Sequence, residues 1–275
     1  MKRHRAHRPL SRGLTLLLQA LIVIAVLLAW QFVPKIPGIS QVSPAFDSFF
    51  ISSPVQVYQT LSDLFTGNGV TPIWPYIGAT MQSFFIGTAI GIVLGATLGI
   101  LLSNDERLSQ VLRPFVVAIN AIPRIALIPI IVIIFGPNGT TTTLTAVIVV
   151  LFVVFFNAYE GGRSVPTQVV ENAMIMGATP RQIILRVRLA YVLAWTAAAL
   201  PNAVSFGLIS VVTAEILTGY AGVGRLLVIA VGSASSSLTF AVVVVLSVLG
   251  VALVTLTEAL RKRWLHWWSD SQTTR

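Results

Sequence analysis

The chain of 275 residues contains no cysteine. A disulfide framework, a thiolate metal site and a cysteine nucleophile are therefore excluded. Histidine is nearly as scarce. His4 and His7 lie in a basic N-terminal stretch and His266 lies among tryptophans, so no metal-ligand cluster can be assembled from them. Charge is scarce as well: 10% of the residues are charged and 55% are hydrophobic, whereas an ordinary soluble domain carries about 25% charged residues. With a mean hydropathy of +0.86, too few charges remain to coat a soluble surface, and the sequence reads as a membrane protein. The net charge of +9 does not indicate a nucleic-acid binder, because the basic residues cap long apolar runs and form no stripe.

A bilayer core about 30 Å thick needs about 20 apolar helical residues. Six stretches satisfy this: 14–33, 81–102, 115–135, 141–159, 191–217 and 238–260. The first follows Lys2, Arg3, Arg5, Arg8 and Arg12. It is longer than a cleaved signal's apolar region and lacks a small-residue end, so an uncleaved anchor is expected. With the N-terminus inside, 15 of the 18 Lys and Arg residues fall in cytoplasmic segments, which places both termini in the cytoplasm. Trp264, Trp267 and Trp268 beside Arg261, Lys262 and Arg263 read as an interfacial anchor. The expected organisation is a basic tail over 1–13, a first span over 14–33 and an outer segment over 34–75. A membrane core over 76–262 and a cytoplasmic tail over 263–275 complete it.

The outer segment contains Ser53-Pro54-Val55-Gln56, a helix-start pattern with Ser as cap and Pro at the first position. Val57, Leu61, Leu64 and Phe65 then share one face, which predicts a short amphipathic helix. Gly87, Gly91, Gly95 and Gly99 line one face of the second span. They favour close helix packing, within the subunit rather than between subunits. Pro123 and Pro129 each remove a backbone hydrogen bond from the third span. Arg124 sits beside the first. A lone Arg at the bilayer centre costs roughly 3 kcal/mol, so two readings stand: it faces a pathway, or it snorkels to headgroups. Glu215 lies about 36 Å along a straight helix from Tyr191, near the outer interface, where a gate, a partner contact or a solvated helix end is expected. Asn120, Asn202, Ser205 and Thr213 are polar pathway candidates, each also readable as an interhelical hydrogen bond.

The stretch 160–190 is too polar for membrane and too patterned for a linker. Pro166 can open a helix with Val169, Val170, Ala173 and Met176 on one side, and Gly177 can end it in a left-handed turn. Thr179 and Pro180 then cap and begin a second helix carrying Arg181, Arg186 and Arg188. Two short helices with a glycine hinge read as a docking element for a cytoplasmic partner.

Glu171-Asn172-Ala173, three residues, Gly177-Ala178-Thr179 and then Val187-x-Leu189 resemble the EAA loop of the membrane subunits of bacterial ABC importers. Ser53-Pro54, Ile122-Pro123-x-x-Ala126-Leu127-x-Pro129 with Phe135-Gly136, and Ala214-Glu215 with Gly222-Val223-Gly224 are similar to the nitrate/sulfonate/taurine branch of these permeases. The likeness covers roughly residues 50–260. Two departures stand out: Asn172 replaces the second residue of the triplet, and Ala190 occupies the usual proline position. Without that proline the second loop helix can run straight into the fifth span.

The resemblance implies an all-α polytopic fold, the type I importer permease, with six transmembrane helices and a coupling loop over 163–190. It implies a second permease subunit, identical or paralogous, two cytoplasmic ATPase subunits carrying ATP and Mg, and an extracytoplasmic solute-binding protein, all in the bacterial inner membrane. Glu171 would be a polar anchor, Gly177 the turn, and Ala173 and Met176 buried docking contacts, with Asn172, Ala178 and Thr179 completing the set. The implied substrate is a small anion (nitrate, a sulfonate, taurine) or a vitamin precursor. The chain itself has no phosphate loop and no placed catalytic set, so it is not expected to be an enzyme or to hold a cofactor. The alternative is an ion-gradient-driven transporter or channel without an ATPase. Such proteins usually carry several intramembrane ionisable groups, and here Arg124 stands nearly alone. A non-transporting scaffold would explain the docking loop but not the broken third span.

Overall fold

The computed structural model describes residues 12–36, 48–69, 71–104 and 106–264. His4, His7, the N-terminal Lys and Arg residues before Arg12, His266, Trp267 and Trp268 fall outside them, as do the side chains of Arg124 and Trp264. Among the described residues every regular element is helical. The helices are α1 (Arg12–Phe32), α2 (Ser48–Ile51), α3 (Pro54–Thr66), α4 (Trp74–Asn104), α5 (Glu106–Ala121), α6 (Ile128–Phe135) and α7 (Gly139–Arg163). They continue with α8 (Thr167–Ile175), α9 (Leu189–Thr218), α10 (Val223–Gly232) and α11 (Ser236–Trp264).

Among the described residues five helical stretches are long and apolar enough to cross a membrane: Gly13–Lys35, Trp74–Asn104, Gly139–Arg163, Pro180–Thr218 and Ser236–Arg263. The expected third span over 115–135 is not one helix. α5 ends at Ala121, a 3-10 turn Arg124–Leu127 follows, and α6 begins at Ile128. Pro123 marks the break, as its missing N–H requires. Pro129 does not break a helix: it stands in the first turn of α6, where an N–H would be unused anyway.

The chain divides into two compact units, residues 1–72 with 230–241, and residues 73–229 with 242–275. In the first, Trp30 Nε1 donates to the Ile51 carbonyl at 3.2 Å and its ring lies 5.3 Å from that of Phe240. The Ser52 and Ser237 hydroxyls are hydrogen-bonded at 2.8 Å. α3 starts as its sequence demands, with the extended Ser53 accepting from the Gln56 N–H and Pro54 at the first position. It stops at Gly67 in the left-handed region, φ 76°. Val57 and Leu64 are buried and Leu61 half-buried, while Phe65, expected on the same face, is exposed. α1 buries none of its apolar window within the chain, as suits a helix solvated by lipid.

The second unit is built on α4, α7 and α9. Phe84, Ala146, Val204, Leu208 and Val211 form one apolar cluster, and Val150, Val153, Val154 and Ala203 form another. The four spaced glycines of α4 all face α7. A Cβ on Gly91 would lie 2.9 Å from the Val147 carbonyl oxygen, and one on Gly95 would lie 2.6 Å from that of Leu151. The stripe therefore packs within the subunit. In lipid, helices gain little from excluding water, and close contact of this kind replaces it. The Ser83 and Thr142 hydroxyls, hydrogen-bonded at 3.0 Å, add a buried polar link across the same pair.

A Gly95→Val substitution must push α4 off α7, since the obstructing atom is backbone. Overpacking of this kind costs about 1–3 kcal/mol. The expected outcome is a clear fall in melting temperature of the detergent-solubilised protein, measured by tryptophan fluorescence.

Candidate functional site

The segment between α7 and α9 is an ordered loop. α8 ends in a Schellman turn: the Ala178 N–H reaches the Ala173 carbonyl and the Gly177 N–H reaches that of Met174, both at 2.9 Å. Gly177 has φ 82°, a conformation glycine adopts without a Cβ penalty. Thr179 and Gln182 then form a reciprocal capping box, with the Thr179 N–H donating to Gln182 Oε1 at 2.8 Å. These caps make the turn a rigid corner. At its tip Ile175 is 83% exposed and Met176 81% exposed. Glu171, Asn172 and Thr179 are exposed, and Ala173 and Ala178 are half-buried.

Past the corner the second loop helix runs straight into the fifth span, as the lack of the family proline allows. One α-turn, Pro180–Gln182, passes into a π-helical stretch, Ile183–Arg188, and on into α9 without a break. Ala190 explains this. Unlike proline, it keeps the backbone N–H that a continuous helix needs.

Two arginines tie the loop to the bundle. Arg188 Nη1 donates to the Ser103 and Asn104 carbonyls, each at 3.0 Å, and so caps the C-terminus of α4. Arg163, the last residue of α7, donates through Nη1 to the Ser109 hydroxyl and lies 5.7 Å from the Tyr159 ring. The Ser109 and Tyr159 hydroxyls are 2.6 Å apart. Arg163 and Ser109 stood out in no sequence motif. Only the end-of-helix position of Arg163 hinted at a role.

At the opposite end of the bundle, Glu215 is not a solvated helix end, one of the three readings its sequence position allows. It is fully buried. Its carboxylate accepts from the Gly224 N–H at 2.9 Å and from the Thr80 hydroxyl at 2.8 Å. Thr80 Oγ1 in turn accepts from the Val223 N–H at 2.9 Å. The carboxylate thus occupies the N-terminus of α10, where unpaired N–H groups and the helix dipole favour negative charge. Gly222, at φ 153°, lies so close that a Cβ would collide with the Glu215 carboxyl. The Ala214-Glu215 and Gly222-Val223-Gly224 pieces are therefore two halves of one latch. Thr80 is its third member, and no sequence spacing pointed to it.

The other pathway candidates are scattered. Asn120 is exposed on α5, and Arg124 opens the 3-10 turn after Pro123. Asn202, Ser205 and Thr213 lie along one side of α9. Ser205 and Thr213 do not bond to another helix as expected. Their hydroxyls donate back to the Pro201 and Ile209 carbonyls of their own helix, at 3.0 and 2.7 Å. Among the described residues, no three His, Cys, Asp or Glu side chains gather in a way that could hold a metal ion.

Residues 87–266 match the family model described as binding-protein-dependent transport system inner membrane component. The chain belongs to that family. Its relatives include the formylaminopyrimidine transport permease protein ThiX of Halalkalibacterium halodurans, 27% identical, with 88% of this chain and 92% of that one covered. The taurine transport system permease protein TauC of Escherichia coli is 24% identical, with 96% and 94% covered. In fold the permease is similar to a chain of the methionine ABC transporter MetNI solved in inward-facing form. That match has a TM-score of 0.58 and 19% identity, covering 70% of this chain and 93% of that one. With its membrane-spanning helices, this makes the chain a multi-pass inner-membrane transport subunit, of the kind found in the sulfonate/nitrate/taurine branch.

Replacing Glu215 by Gln brings an amide NH₂ into a pocket whose neighbours already donate. An unsatisfied buried group costs about 1–3 kcal/mol. E215Q is expected to lower the melting temperature in detergent, and Gly222→Ala to lower it at least as far. An unchanged melting temperature for both would contradict the latch.

Proposed function

We propose that the chain is the membrane-spanning subunit of an ATP-driven solute importer and that residues 163–190 transmit the drive from a separate ATPase. Family membership supports the general role. The observation that carries the coupling assignment is the capped corner at Gly177, which holds the apolar tip Ile175-Met176 out in the open. An exposed apolar pair on a rigid support is what a docking contact needs, since little order is lost on binding. Glu171 and Asn172 flank the tip as polar anchors. Ala173, Met176, Ala178 and Thr179 would lie in the ATPase cleft, with ATP and Mg bound by that partner.

Orientation follows Lys and Arg, which place the loop and both termini in the cytoplasm. The broken pair α5 and α6 would then make the sixth crossing, and the latch at Glu215 would lie at the outer face, where a solute-binding protein docks. Two permease subunits would form the pathway between them, with Asn202, Ser205 and Thr213 of α9 as lining candidates. Opening alternates by rigid-body rocking of the helices. A small organic or inorganic anion, such as a sulfonate, taurine or nitrate, or a vitamin precursor, is the substrate class that the relatives' names support.

Purification in mild detergent is expected to bring down an ATPase with a phosphate loop. Met176→Asp, which leaves the fold untouched because Met176 is exposed, should weaken that association by about thirtyfold, the loss of a hot-spot contact of about 2 kcal/mol. Gly177→Pro cannot adopt φ 82°, and should abolish coupled uptake while the protein still inserts. A clean oligomer with no ATPase would instead favour a gradient-driven transporter.

Arg124 offers a separate check. If it faces the pathway, Arg124→Ala changes solute uptake and substrate-stimulated ATP hydrolysis in proteoliposomes. No change in either would assign it to headgroups.

A further inference from the structure

At the root of the loop, Ser103, Ser109, Arg163, Thr167, Met174 and Arg188 surround a cavity of about 320 Å³. Its chemistry is one-sided. Arg163 and Arg188 both line it, and each bonds through Nη1 to the partners described above. Among the described residues neither arginine has a carboxylate in ion-pair contact, and the one ion pair found is Arg261–Glu258. The buried Ser103 and Ser109 hydroxyls add small polar groups to the wall. The first turn of α8 starts at Thr167, also on the wall, with no side-chain cap and no acidic residue to answer its free N–H groups. Among the described residues, two cations, hydroxyls and an uncapped helix N-terminus converge on one space without an anion.

We propose that this cavity binds a phosphate-type oxyanion. Guanidinium forks match the paired oxygens of such a group, and helix N-termini favour the same charge. The volume far exceeds one phosphate and leaves room for an attached glycerol headgroup. The level in the membrane fits that source too. Arg163 closes one membrane-long helix, and Arg188 leads into the next. A site between them therefore lies where lipid headgroups lie, and basic pockets between helix ends are favourable places for anionic ones. Met174, immediately before the exposed tip Ile175-Met176, forms part of the wall. An occupant would brace the loop against the ends of α4 and α7, so its presence would set how firmly the corner is held.

The test uses the purified permease alone, so its result does not depend on an ATPase partner. Delipidated protein is titrated with phosphatidylglycerol, with phosphatidylcholine and with inorganic phosphate, and adducts are counted by native mass spectrometry. Phosphatidylglycerol is expected to bind at least tenfold more tightly than phosphatidylcholine. R188Q and R163Q should each weaken it about fivefold, as expected for one basic residue near an anionic surface. Met174→Trp fills the cavity while leaving both arginines in place, and is expected to remove the tight adduct even if an arginine variant fails to fold. Saturable phosphate binding with the same variant dependence, and no lipid preference, would support the oxyanion site with a soluble source. Equal retention of both lipids, no phosphate binding and no effect of Met174→Trp would overturn it.

Discussion

The approach of α4 to α7 is the constraint on which the second unit depends. In a membrane the backbone must satisfy its own hydrogen bonds, and apolar side chains gain nothing by leaving lipid for protein. What remains is contact, and four glycines at four-residue spacing allow backbone to lie almost on backbone. α9 packs against both members of the pair. The ends of that pair also position the functional parts. The C-terminus of α4 receives Arg188, the C-terminus of α7 carries Arg163, and Thr80 near the start of α4 receives Glu215.

The two ends of the bundle are secured by opposite charges, each at a helix terminus. At one end arginine meets the exposed carbonyls of α4. At the other a carboxylate meets the exposed N–H groups of α10. In both, a side chain supplies what a helix end lacks. A buried carboxylate held by donors and a half-buried arginine held by acceptors each fix one segment to the bundle. They leave the corner at Gly177 and the turn at Gly222 as defined shapes.

Much of this was legible in the sequence because it is local. The start of α3 at Ser53-Pro54, the stop at Gly177 and the restart at Thr179-Pro180 are set by residues within one turn of each other. The glycine stripe was readable because helical spacing is fixed. The burial of Glu215 was not legible because its partners are far away in the chain: Thr80 lies 135 residues before it, and a spacing rule cannot see across that distance. The bonds of Ser205 and Thr213 were misassigned for the opposite reason. A carbonyl one turn back is always within reach and needs no partner helix. Hydropathy sums apolarity and so counts the third span as one crossing, whereas Pro123, readable in the sequence as a lost hydrogen bond, is where α5 and α6 part.

The π-helical stretch at Ile183–Arg188 bears on the geometry of α9. Its hydrogen bonds reach one residue further back than those of an α-helix, so each turn there holds more residues and the angular phase slips. Every side chain from Leu189 to Thr218 is therefore rotated about the helix axis from where an unbroken α-helix rising from Pro180 would point it. The sector of α9 that carries Asn202, Ser205 and Thr213 is thus aimed by six residues lying well outside it. Winding that stretch back to ordinary α-helix would turn the whole face like a key.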